Sequence, residues 1–198
     1  MYNLIIKIAI ASFVVLMGAV FFWQPIKMTF SNVRVTNDFV LQTTTGTLDS
    51  KALRGKVLLV LFGYASCGEP CAARLARLGG GLDQLSARER EQVKVIVVSV
   101  DTERDTPARI ADYAKKAHPE FIGATGKADE VKALTEAFGA DNQKFSPKDG
   151  STVVEVSQFT YLVAPDGRFV SVLNEATAPE KVAAALRARI PGLLPPGN

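Results

Sequence analysis

The stretch Val57-Leu-Leu-Val-Leu-Phe62, followed after Gly63-Tyr-Ala-Ser66 by Cys67-Gly-Glu-Pro-Cys71, decides how this chain folds. An apolar run without alternation is the pattern of a strand buried on both faces, and so of a central strand. The cysteines fall where that strand hands over to a helix, which the sequence predicts from Ala72 to about Leu85. Val93–Val100 repeats the apolar pattern and predicts the next buried strand, completing a βαβ unit.

Upstream, Phe39-Val-Leu-Gln42 predicts a short strand, and Thr45-Gly-Thr-Leu-Asp-Ser50 predicts a turn. Downstream, Thr106 before Pro107 has the form of a helix cap followed by proline at the first helical position, opening a helix to about Ala117. A second helix, Ala128 to Phe138, carries Val131, Leu134 and Phe138 on one stripe and stops at Gly139. Val153–Val156 and Thr160–Val163 read as strands, and the Pro165-Asp-Gly167 turn joins the latter to Arg168–Leu173 as a hairpin. Thr177 with Glu180 has the spacing of a capping box, predicting a final helix to about Ile190. The order β, α, β, helical insertion, β, β, α is that of an α/β, thioredoxin-like fold: a central mixed sheet flanked by helices, with a helical insertion. It is expected over residues 38–190, with a Pro- and Gly-biased tail at 191–198.

Composition agrees with a single core, since 47% of 198 residues are hydrophobic and 22% charged. The formal charge is +3, but Lys7 and Lys27 lie in an N-terminal stretch without acids, leaving 21 basic and 20 acidic side chains in residues 31–198. That near balance, with both signs interleaved in Ala87–Lys94 and Thr102–Lys116, supplies no field for nucleic acid. Leu4–Trp23 is of another kind, because its only charge is Lys7 near the start. Twenty residues of helix span roughly 30 Å, the thickness of a bilayer core. The segment ends in Phe21, Phe22 and Trp23, suited to an interfacial belt and unlike a small-residue cleavage signal. The sequence thus predicts an uncleaved transmembrane anchor at 4–23 and a connector at 24–37.

Cys67 and Cys71 are the only cysteines. Their i, i+4 spacing on a helical turn brings the Cα atoms to roughly 6 Å, within the range a disulfide accepts. The same spacing allows both sulfurs to grip a soft cation such as Cu(I). Backbone N–H groups at a helix start stabilise thiolate. A static staple is the competing reading, but closing so short a loop removes little chain entropy. A structural zinc site needs four ligands, and the one histidine, His118, falls at a helix end away from the thiols. Glu69 opposes thiolate formation and Arg74 favours it. Asp101 and Asp105 are read as loop-orienting or ion-pairing residues. Met28 and the other methionines lie in or beside the membrane segment and are read as lipid-facing.

Leu53-Arg-Gly-Lys-Val57, Phe62-Gly-Tyr64, the CxxxC, Leu75-Ala-Arg-Leu78, Ser99-Val-Asp-Thr-Glu-Arg-Asp-Thr-Pro107, His118-Pro-Glu-Phe-Ile-Gly123 and Tyr161-Leu-Val-Ala-Pro-Asp-Gly167 together resemble the Sco (SenC) family over about Asn37 to Ile190. The resemblance implies a membrane-anchored domain facing the periplasm or an equivalent extracytoplasmic space, and a role in maturing the copper site of a respiratory oxidase. It also implies copper bound through Cys67, Cys71 and a histidine shortly before the Tyr-Leu strand. Here that segment reads Val154-Glu-Val-Ser157, so Val156 stands in the histidine's place, and Gly68 replaces the usual proline after the first cysteine. Valine cannot donate to a metal. The resulting expectation is a single-pass protein of the inner membrane working by thiol-disulfide exchange. Cys67 attacks a client such as the oxidase copper-site subunit, Cys71 resolves, and an external thiol reductant recharges the pair. The alternative is a copper carrier using both thiolates with a client-supplied or unrecognised third ligand. A peroxidase is the weakest reading, since no residue marks a peroxide pocket.

Overall fold

The computed structural model describes residues 38–140, 143–145 and 153–191. The expected anchor and connector, and the tail beyond Pro191, lie outside them. Among the described residues no helix is long and apolar enough to cross a membrane.

Strands β1 (Val40–Thr43) and β2 (Gly46–Asp49) form an antiparallel hairpin, and β3 (Val57–Gly63) follows after one 3-10 turn. Helix α1 (Glu69–Asp83) and the short α2 (Ala87–Glu91) lead to β4 (Val93–Ser99). The insertion holds α3 (Pro107–Ala117), β5 (Ile122–Ala124) and α4 (Ala128–Ala137). Then come β6 (Gln143–Phe145), β7 (Val153–Glu155), β8 (Thr160–Val163), β9 (Phe169–Leu173) and α5 (Pro179–Arg187). The main sheet runs β5-β4-β3-β8-β9, with β4 parallel to β3 and β5, and β8 antiparallel to β3 and β9. Every residue of β3 is buried, as the unbroken apolar run requires.

Alternation sends the strand side chains to two cores. On one face Val57, Leu59, Leu61, Val95, Val97 and Leu162 meet Leu75, Leu78 and Leu82 of α1, Ile110 of α3, and Val182 and Leu186 of α5. On the other, Leu58, Val60, Phe62, Ile96, Val98 and Tyr161 meet Phe39, Leu41, Val131 and Leu134, from the hairpin and α4. Each fully buried Leu or Phe contributes about 1.5–3 kcal/mol. Helices α1 and α5 approach so closely that a Cβ on Gly81 would stand 2.6 Å from Val182 Cβ.

The predicted order of elements holds, and the differences have local causes. Thr45–Ser50 is more than a turn, because Gly46–Asp49 pairs back on β1 in register from Thr43↔Gly46 to Val40↔Asp49. Helix α1 starts three residues before Ala72, since Pro70 fits the first turn, where its missing N–H has no helical partner to lose. At the start of Ala87–Lys94, read only as a mixed-charge face, Glu89 closes a true capping box with the preceding Ser86. Val153–Val156 does not join the main sheet; Val153–Glu155 pairs with β6 alone. The final helix is capped by Ala178 and not by Thr177, whose hydroxyl donates instead to Asn174 Oδ1 at 3.0 Å, and the helix ends at Arg187.

Candidate dithiol site

The chain leaves β3 through buried Tyr64, and Cys67 N–H donates to Tyr64 O at 3.1 Å, closing a tight turn. Gly68 caps α1 at φ +77°, ψ −155°. Glycine visits this region freely and proline, fixed near φ −65°, cannot enter it. The glycine between the cysteines is therefore a conformational requirement of this loop. Cys71 follows in the first helical turn, at the positive end of the helix dipole.

Cys67 and Cys71 are joined as a disulfide with Cα atoms 5.9 Å apart, matching the separation expected from i, i+4 spacing. Their exposures differ. Cys67 is half-buried, whereas Cys71 is 2% exposed and packs beside Gly63, 3.6 Å from where a Cβ there would sit. An incoming group therefore meets Cys67 first. Val156 and Cys67 are both half-buried against the apolar cluster that contains Phe62, Tyr64 and Tyr161.

A polar frame holds the loop. Buried Asp105 accepts from Ala65 N–H at 2.8 Å and from the Ser99 hydroxyl at 2.6 Å, with Arg109 Nε 3.1 Å from its other oxygen. Arg109 also donates to Ser66 Oγ at 2.7 Å. Asp101 pairs with Arg104. The loop-orienting role expected of the two aspartates thus belongs to Asp105, and ion pairing to both.

Arg74 lies beneath the pair and is 4% exposed. Its guanidinium donates to Ser157 O at 2.6 Å and Phe62 O at 2.8 Å, and Nη2 is 3.9 Å from Cys71 Sγ. Burial pulls its pKa below the ordinary arginine value, against opposing attraction from Tyr113, Glu175 and Tyr161. It nevertheless stays charged, as guanidinium does in proteins. Burial likewise raises the Tyr161 phenol above its usual value, countered by the hydrogen bond with Ser157 Oγ at 2.9 Å.

His118 is remote in role as well as in sequence. It caps α3, is 8% exposed, faces Asp83 Oδ1 through Nε2 at 3.2 Å and accepts from Glu120 N–H on Nδ1. The accepted bond on Nδ1 leaves Nε2 as the donor of the neutral ring. Among the described residues no group of three or more His, Cys, Asp or Glu is arranged to hold a metal ion. Once reduced, the two sulfurs would offer a copper ion a pair of soft donors, with no third from these types among the described residues. Sequence reasoning missed Arg109 and the span from Arg74 to Ser157. The latter had one signal, an arginine in the apolar stripe shared by Cys71, Leu75 and Leu78.

A mixed sheet with a cysteine pair at the strand-to-helix junction, half-buried at Cys67 and shielded at Cys71, defines a thioredoxin-like protein of the CxxxC type. Comparison with known proteins is specific on this point. A family model described as SCO1/SenC matches residues 28–191, and the chain belongs to that family. Protein SenC of Rhodobacter capsulatus is 30% identical over 169 residues, covering 85% of this chain and 76% of the relative. The mitochondrial protein SCO1 homolog 1 of Arabidopsis thaliana is 32% identical over 120 residues, and the match spans 36% of that longer protein. Bradyrhizobium japonicum ScoI, solved with copper bound, superposes with a TM-score of 0.70 at 32% identity, over 77% of this chain and 97% of that one.

Proposed function

We propose that this chain is a membrane-tethered, extracytoplasmic Sco-type assembly factor for the copper site of a respiratory oxidase, acting by thiol-disulfide exchange. The observation that carries the reading is the asymmetry of the pair: Cys67 is reachable and Cys71 is shielded. The apolar run 4–23 supports the tether, and family membership supports the oxidase client.

In the reduced pair, the Cys67 thiolate attacks one sulfur of a client disulfide. That S–S bond breaks, and the departing client sulfur leaves with the electron pair and takes a proton. Cys71, as thiolate, then attacks Cys67 Sγ and releases the second client sulfur. The client gains two electrons and the Cys67–Cys71 disulfide re-forms. An external thiol reductant must return two electrons before the next cycle, since an oxidising compartment does not.

Removing the resolving sulfur tests this directly. A Cys71→Ser variant expressed with the oxidase is expected to accumulate a covalent, dithiothreitol-sensitive adduct through Cys67, absent from Cys67→Ser. If neither variant traps a client, the reading is lost.

A second reading, copper carriage, is favoured by the copper-bound relative ScoI. Two thiolates suit Cu(I), whereas Cu(II) lacks an imidazole ligand with Val156 where the family resemblance expects histidine. Titrating the reduced protein with each ion, beside a control lacking both cysteines, separates the readings. Cu(I) binding no tighter than that of the control rules out a carrier.

A further inference from the structure

Among the described residues no carboxylate is in salt-bridge contact with the buried charge of Arg74. Its partners are two carbonyl oxygens and, at 3.9 Å, the Cys71 sulfur; Nε has no hydrogen-bond partner among the described residues, and Glu175 acts only at longer range. Bringing a guanidinium into a protein interior is costly unless a counter-charge meets it. In the oxidised form the disulfide offers none. Reduction creates one, because the sulfur that departs when the bond opens carries an electron pair a few ångströms from a fixed cation, where water does little to screen the attraction.

Building on the exchange reading, we infer that Arg74 is the positioning residue of the recharging step: it stabilises Cys71 as the departing sulfur, directing an incoming thiolate to Cys67 and making the pair easier to reduce. A reductant thiolate attacks Cys67 Sγ, a new S–S bond forms, the Cys67–Cys71 bond breaks, and the electron pair leaves on Cys71 facing Arg74. A second reductant thiol then frees Cys67, leaving the reductant oxidised by two electrons and this chain reduced by two. The accessibility of the two sulfurs agrees, since the attacked atom is the half-buried one and the departing atom the shielded one. The same guanidinium ties α1 to the segment just before β8, so it is fixed from both sides and cannot swing away when the bond opens.

The test uses glutathione alone, without any client, so its failure is distinguishable from failure of the assembly reading. The full chain, its Arg74→Gln variant and its Arg74→Lys variant are equilibrated in glutathione redox buffers, and the reduced fraction is read by alkylation. Arg74→Gln is expected to shift the equilibrium about tenfold towards the disulfide, or about 30 mV. It should also slow opening by reduced glutathione about tenfold. Arg74→Lys, which keeps the charge but loses the fork, should stay within about threefold of the wild type. Trapped glutathione should map to Cys67. An unchanged equilibrium in Arg74→Gln, or equal shifts in the two variants, reduces Arg74 to a structural clamp and overturns the inference. Should Arg74→Gln fail to fold, the wild type suffices. Glutathione trapped during its reductive opening must then sit on Cys67, and an adduct on Cys71 overturns the inference.

Discussion

Ala65 and Asp105 are joined by a hydrogen bond of 2.8 Å from the backbone amide to Oδ2, across forty residues of chain. The bond fixes the loop that presents Cys67 to the N-terminal side of α3, whose first turn Thr106 and Pro107 define. Asp105 Oδ2 also receives the Ser99 hydroxyl at the end of β4, so one buried oxygen couples strand, loop and helix.

Asp105→Ala leaves the Ala65 amide and the Ser99 hydroxyl without their acceptor. Each buried group so orphaned costs about 1–3 kcal/mol. We expect a loss of roughly 2–4 kcal/mol in urea unfolding, together with a changed rate of Cys67 reaction with a thiol probe as the loop loosens. Asp105→Asn keeps one acceptor and should lose less on both measures. Wild-type reactivity in a destabilised Asp105→Ala would mean that the carboxylate stabilises the fold without positioning the thiol.

Gly68 makes a sharper prediction about the loop itself. Its φ of +77° with ψ of −155° is glycine territory. An alanine there is strained by about 1–3 kcal/mol even though the space around the site is open. Gly68→Ala should lower the melting temperature accordingly. Gly68→Pro should cost more and change the equilibrium with glutathione, because proline cannot hold the backbone angle that now links the two sulfurs. Equal stability of wild type and Gly68→Pro would contradict the geometry described for this turn.

What the sequence disclosed about fold and site follows physical lines. Val57–Phe62 and Val93–Val100 were legible because a strand buried on both faces has no polar position to blur it. Thr106-Pro107 was legible because capping is a local property, and the Thr106 hydroxyl accepts from Arg109 N–H as the motif requires. Ile122–Ala124 was not, since three residues are too few to display a period. The cysteines announced themselves by spacing, and Asp105 by its place shortly after β4. The bond between Arg74 and Ser157 spans 83 residues and engages a backbone carbonyl, so no side-chain pattern at the far end betrays it. Thr177 misled because a capping motif is only a spacing until the backbone turns at that residue, and here it turns at Ala178.

The contact of Gly81 with Val182 carries a prediction that tests packing apart from chemistry. A methyl group on Gly81 would lie 2.6 Å from both Cβ and Cγ1 of Val182 and 3.0 Å from Pro179 O. Overpacking of this kind costs about 1–3 kcal/mol, more than the gain of up to about 1 kcal/mol from alanine's helix propensity. Gly81→Ala should therefore destabilise the protein. In a double-mutant cycle, Val182→Ala should recover part of the loss by removing Cγ1, giving a coupling energy of favourable sign. Strict additivity would mean that α5 shifts away at no cost.

Glu89 supplies the pH dependence. Its carboxylate accepts from Ser86 N–H at 2.7 Å and from Arg187 Nε at 2.9 Å. These bonds, the Ser86 amide first, hold its pKa below the ordinary glutamate value. The native state thus binds fewer protons than the unfolded chain as the pH falls through the ordinary value of about 4.3. The stability that Glu89 contributes is fully present above that value and is lost as the pH falls through its lower folded value. Asp166, held low chiefly by Arg168, acts in the same direction over the same acid range. Urea midpoints measured from pH 6 to pH 3 should therefore decline more steeply for the wild type than for Glu89→Gln. The variant, without the titrating carboxylate or its pair with Arg187, should start lower at pH 6 and converge on the wild type in acid. Parallel curves would show that the α2 capping box and its bridge to α5 contribute nothing through the charge of Glu89.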